Sequence, residues 1–157
     1  MTPGAVFEEH QRPPRGYVVT GGVALAFAAG VALWFSALAG SLQWDLLAFL
    51  ALGAFVVGFT QMRTVVTTTQ LRVSIVPFPR KTVALADVET CEPETYRPLL
   101  HYGGWGWKWS PSRGWAYTMR GNRGVRIRLR NGKTFLIGSQ RPDELMAAIR
   151  SSTRAVR

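Results

Sequence analysis

Between Arg15 and Asp45 the chain runs for 29 positions without a charge, and the stretch YVVTGGVALAFAAGVALWFSALAG, residues 17 to 40, is apolar on every helical face. A hydrocarbon core of ~30 Å takes about 20 residues at helical rise. The run therefore predicts a membrane-spanning helix. A second uncharged run of 17, LLAFLALGAFVVGFTQM, follows Asp45 and reaches spanning length with Gln43 and Trp44 before it. The turn near Gly40 to Asp45 is too short for anything but an antiparallel pair. The expectation is a two-helix transmembrane hairpin over residues 16–61, behind a cytoplasmic polar lead-in, 1–15.

Arg12 and Arg15 precede the first helix, Arg63 closes the second, and the turn holds no cation. Cytoplasmic flanks carry the excess of Lys and Arg, so both termini are expected in the cytoplasm. Tyr17 and Trp44 fall where interfacial aromatics belong, and Gly21, Gly22, Ala29 and Gly30 offer small surfaces for close helix approach. Ala37-Leu38-Ala39 resembles a signal-peptidase site. Against that reading, the apolar run exceeds the roughly 7 to 15 residues of a signal peptide, Glu8 and Glu9 sit where a basic segment belongs, and a second apolar run follows at once.

Charge divides the chain at Met62. Residues 1 to 62 hold two arginines against Glu8, Glu9 and Asp45, whereas the remainder holds 17 Lys and Arg against six acids. An apolar half followed by a basic half points to a membrane or a polyanion as partner. The sole cysteine, Cys91, has no partner for an internal disulfide and no activating cation nearby in sequence, which fits a reducing compartment.

Beyond Met62 the pattern changes to alternation with a period of two. RTVVTTTQLRVSIVPF reads as two strands around Thr68 to Gln70, and PFPRK as a reversal into KTVALADV. In GVRIRLRNGKTFLIGS, Val125, Ile127 and Leu129 face one way and Arg126, Arg128 and Arg130 the other. A two-residue turn at Asn131-Gly132 would put apolar groups on the arginine face. A turn with Gly132 as a bulge pairs Ile127 with Phe135 and Val125 with Ile137, and burial favours it. RPDELMAAIRSS reads as one helix, about 142–152, with Pro142 in its first turn and Asp143 and Glu144 at the positive end of its dipole. Six or seven strands and this helix make residues 62–157 a curved antiparallel sheet or barrel with one capping helix.

The motifs YRPL (96–99), YGGWG (102–106), GWAY (114–117), GNRGV (121–125) and IGSQRPDEL (137–145), with the lead-in EEHQR (8–12), resemble small bacterial membrane proteins that join a two-helix anchor to a pleckstrin-homology-like (PH-like) domain. The resemblance covers nearly the whole chain and implies a PH-like β-barrel with a C-terminal helix, in the bacterial cytoplasmic (inner) membrane; it brings a fold and not a mechanism. Trp107, where an aliphatic residue is usual, and Trp109 depart from the pattern. The first hairpin lacks a Lys-x-Arg phosphoinositide cluster, so headgroup specificity does not carry over.

Four of six tryptophans fall within YGGWGWKWSPSRGWAY, residues 102 to 117. With Ser110 to Gly114 as a hairpin loop, Trp109 pairs with Trp115, Trp107 with Tyr117 and Trp105 with Met119, all on one face. The simpler expectation puts Trp105, Trp107, Trp115 and Tyr117 in the core. The competing one is an exposed aromatic platform rimmed by Lys108, Arg113, Arg120 and Arg123, and Trp109 stands between the two readings. The row Arg126, Arg128 and Arg130 is either a solvated face or an anion-binding surface.

Nothing in the pattern marks an enzyme. His10 and His101 lack a partner at ligand or triad spacing, and the pairs Asp87 with Glu89 and Glu92 with Glu94 read as solvated charge. No metal and no cofactor are implied. The expected role is a non-enzymatic binding module, integral to the bilayer, that contacts anionic lipid or a membrane protein partner. A scaffold or homo-oligomer is the alternative, and nucleic acid is disfavoured because aromatics and arginines fall on separate faces.

Overall fold

The computed structural model describes residues 4–39, 44–77 and 80–156. It divides into a strand unit, Met1–Arg12 with Gln61–Arg157, and a helical unit, Pro13–Thr60.

The helical unit contains α1 (Arg15–Ala39) and α2 (Trp44–Phe59). The covered positions of α1, 21, 25, 28, 29, 32 and 36, recur at helical spacing, as do 47, 50 and 53 on α2. Where the helices meet, a side-chain carbon at Gly53 would lie 3.4 Å from Leu25 Cδ2. Gly53 is thus the close-approach glycine, whereas Gly22 and Gly30, expected in that role, face open space. Outside this seam both helices expose large apolar side chains, among them Phe27, Trp34, Phe49 and Phe59.

Among the described residues only α1 is long and apolar enough to cross a membrane; the two-span hairpin is not found there. At ~1.5 Å per residue, the 16 residues of α2 cover ~24 Å, less than a ~30 Å core. The sequence run overstated this helix because Gln61 and Met62, counted with it, already pair with Val76 and Ile75 in a sheet. The expected turn falls largely on residues 40–43, outside the described residues.

The strand unit departs from expectation in three ways. First, the polar lead-in is a strand. β1 (Ala5–Gln11) pairs antiparallel with β2 (Gln61–Thr67), so the helical unit is inserted between neighbouring strands, leaving at Gln11 and returning at its partner Met62. Alternation puts Phe7, Glu9 and Gln11 inward. A buried carboxylate needs donors, and Glu9 receives them from Ser139 Oγ at 2.5 Å and the Gln140 amide at 2.8 Å. Gln11 Nε2 donates to the Gly138 carbonyl at 2.9 Å.

Second, the strands form two sheets and no closed barrel. Sheet A is the antiparallel meander β1-β2-β3-β4, with β3 at Gln70–Val76 and β4 at Arg80–Ala84. After a 3-10 turn at Leu85–Asp87, sheet B is built from β5 (Val88–Thr95), β6 (Gly106–Ser110), β7 (Gly114–Thr118), β8 (Arg123–Leu129) and β9 (Thr134–Gly138), in the order β5-β8-β9-β7-β6. Its β7–β9 pair is parallel, a long-range pairing that alternation does not encode. Third, the short helix α3 (Pro98–Tyr102) interrupts the strands, stopped by Gly103 at φ 68°. The last helix, α4 (Pro142–Val156), follows as expected.

One core joins the sheets and α4: Met62, Leu71 and Ile75 from sheet A, Ile127, Phe135 and Ile137 from sheet B, Leu145 and Ile149 from α4. The turn at Gly132 has the bulged register, Ile127 opposite Phe135 and Val125 opposite Ile137. Gly132 takes φ +79°, which a side chain disfavours.

Candidate interaction surfaces

The arginine row of β8 is not a free face. Arg126 forms a two-pronged ion pair with Glu94 of β5 through its Nε and a terminal nitrogen, and also donates to Tyr102 Oη at 3.0 Å and the Arg113 carbonyl at 2.7 Å. Arg113 reaches the same carboxylate at 3.0 Å. Burial alone would raise the Glu94 carboxyl; the hydrogen bond and charge of Arg126, then Arg113 and His101, hold it below its ordinary value. The Arg126 guanidinium is correspondingly raised, first by its bond to Glu94. Arg128 pairs with Glu89 at 3.2 Å, Arg130 donates to the Ala86 carbonyl at 3.0 Å, and Arg123 pairs with Asp143 at 3.3 Å. These side chains pin β8 to β5, the turn before it, and α4. Of the expected cations, Lys108 and Arg120 are exposed with no side-chain partner among the described residues.

The tryptophan hairpin has the expected register, Trp109 opposite Trp115 and Trp107 opposite Tyr117. Its residues separate by depth. Tyr117 and Met119 enter the core, where burial raises the Tyr117 phenol and a hydrogen bond with Trp107 opposes the rise. Trp105 precedes β6 and anchors the next turn by donating Nε1 to the Gly121 carbonyl at 2.9 Å. Trp107, Trp115 and Trp109 are not core: they are 37%, 39% and 57% exposed. The rings of Trp107 and Trp115 stack at 4.8 Å with 11° between planes. The hairpin outruns the apolar surface available to cover it, so its tip carries the indoles into solvent. Gly114 takes φ +72°, and a side chain there would press within 3.0 Å of the Thr134 carbonyl. β6 is one of the two terminal strands of sheet B, with one edge unpaired among the described residues.

A third surface was not anticipated. On the outer face of sheet A, His10, Arg63, Arg72 and Arg80 line a depression of 610 Å³. Strand register makes His10, Arg63, Ser74 and Arg80 one row across four strands, with Val65, Arg72 and Thr82 in the next. Glu8 takes Arg63 at 2.6 Å and His10 at 2.8 Å. Arg72 and Arg80 are exposed and have no partner among the described residues. The sequence signal was one arginine per strand, legible as a cluster only once the register is known.

The interfacial candidates Tyr17 and Trp44 are exposed, at the start of α1 and α2 respectively. His101 Nδ1 accepts the Arg97 amide at 3.2 Å, a local structural bond. Among the described residues no three His, Cys, Asp or Glu side chains gather as for a metal ion. Cys91 is buried in the core. No protein-family model matches the chain, and no curated protein is significantly similar to it.

Proposed function

We propose that this chain is a non-enzymatic, membrane-anchored binding module whose tryptophan hairpin receives a protein partner along β6. The observation that carries this reading is the exposure of Trp107, Trp109 and Trp115 beside an unpaired strand edge. Exposed indoles in water are costly unless covered, and aromatic residues dominate interface hot spots. An open edge offers a partner backbone hydrogen bonds while the indoles grip its side chains, the strand-addition mode of peptide recognition.

The helical unit supplies the anchor. Large apolar side chains exposed around both helices call for lipid as solvent, and α1 has the length to cross it. Arg12 and Arg15, just before and at the start of α1, make the N-terminal side of that span the cytoplasm. This accords with the resemblance to bacterial inner-membrane proteins.

A photoreactive amino acid placed at Trp109 of the full-length chain in native membranes tests the partner class. The expected result is a discrete protein adduct, a second copy of the chain included, that is absent with the same probe at Arg128. Lipid adducts alone, or equal adducts at both positions, would remove the reading.

A further inference from the structure

We infer that the outer face of sheet A is a phosphate-binding groove for the headgroups of anionic phospholipids. Three guanidinium groups, Arg63, Arg72 and Arg80, line it, and the Glu8 carboxylate is bound by Arg63 and His10. Arg72 and Arg80 therefore bring positive charge that no described residue neutralises. Arg80 lies opposite Ser74 and Arg72 two residues before it, so the two are diagonal neighbours on adjacent strands with backbones ~7 to 8 Å apart. Two arginine side chains reaching inward from that separation close on one phosphate, each with paired donors suited to its oxygens. The volume of 610 Å³ exceeds what one phosphate needs. Val65, Val76 and Pro77 add an apolar strip beside the cations, which suits the glycerol backbone of a lipid better than a bare anion.

Chain connectivity selects the lipid. His10 lines the groove and Arg15, where α1 begins, follows five residues later, so His10 stays within ~18 Å of the start of α1 in any orientation of the strand unit. Headgroups extend ~5 to 8 Å beyond the hydrocarbon on each side. A groove so tethered meets headgroup phosphates at a concentration that no soluble phosphate reaches. The inference rests on the membrane reading of the helical unit and is independent of the tryptophan hairpin.

The test uses the full-length chain. Retention in membranes through an alkaline wash establishes the membrane reading; release would remove it and this inference together. The retained protein, purified in detergent, is then titrated with phosphatidylglycerol, phosphatidylcholine or inorganic phosphate while its thermal unfolding is followed. Phosphatidylglycerol should raise the unfolding temperature at lower mole fraction than phosphatidylcholine, and inorganic phosphate at millimolar concentration should not. Arg72→Gln with Arg80→Gln should weaken the phosphatidylglycerol response about thirtyfold, at ~1 kcal/mol per lost cation, and Arg128→Gln should leave it intact. The single variants serve if the double variant fails to fold. An unchanged response in the groove variants would overturn the inference. So would a groove-dependent response to inorganic phosphate that matches phosphatidylglycerol, which would mark a site for free anions.

Discussion

The outer faces of the two sheets both carry arginines, alternating along β8 on sheet B and one per strand on sheet A, and they use them differently. On sheet B, the neighbouring strand β5 supplies Glu89 and Glu94, and the preceding turn supplies the Ala86 carbonyl, so Arg126, Arg128 and Arg130 are engaged within the fold. On sheet A, Glu8 takes Arg63 and His10, leaving Arg72 and Arg80 over. The lesson is that a row of cations is a site only to the extent that its neighbours fail to neutralise it. Pairing partners one strand away decide this, and they are invisible until the register is fixed.

The largest expected effect that tests this contrast is Arg126→Ala. It leaves the Glu94 carboxylate half-buried with only Arg113 beside it, and unfolding of the detergent-purified chain should show a loss of ~3 kcal/mol. A loss near zero would mean that sheet B's arginines are as idle as those of sheet A. Acid should act in the same direction with a smaller effect. The Glu94 carboxyl titrates below its ordinary value of 4.5 in the folded state, so its contribution is present above that pH and fades as pH falls through the lowered folded value. Stability measured against pH should fall below about pH 4.5, with a shallower fall in Glu94→Gln. Trp115→Ala removes one half of an exposed stack and should cost ~1 kcal/mol, while abolishing the adduct at position 109. At the small end, Arg72→Gln with Arg80→Gln should change unfolding in the absence of lipid by no more than ~0.5 kcal/mol, as should Arg128→Gln, whose ion pair is exposed. A large loss in the sheet A variant would make its arginines structural and erase the contrast.

Local physics was well legible in the sequence. The Asn131-Gly132 bulge, the register of the tryptophan hairpin and the α4 start at Pro142 all follow from turn chemistry, alternation and dipole, which act within a few residues. Long-range pairing was not. EEHQ reads as polar, yet Glu9 is buried because Ser139 and Gln140, 130 and 131 residues away, donate to it. The end of α2 was misplaced for the same reason: Gln61 and Met62 extend an uncharged run, but the partners Val76 and Ile75 claim them for a strand. At the candidate sites, alternation grouped the indoles on one face but held no measure of how far the core reaches along β6 and β7. It placed Trp107 and Trp115 inside, where depth leaves them out.

The pairing of β1 with β2 also fixes an order of events during synthesis. β1 is made first, but Gln11 meets Met62 only after the fifty residues between them have been translated. Until then Phe7, Glu9 and Gln11 have no sheet to join. Sheet A therefore closes only after both helices have been made, and the first strand acts as a latch.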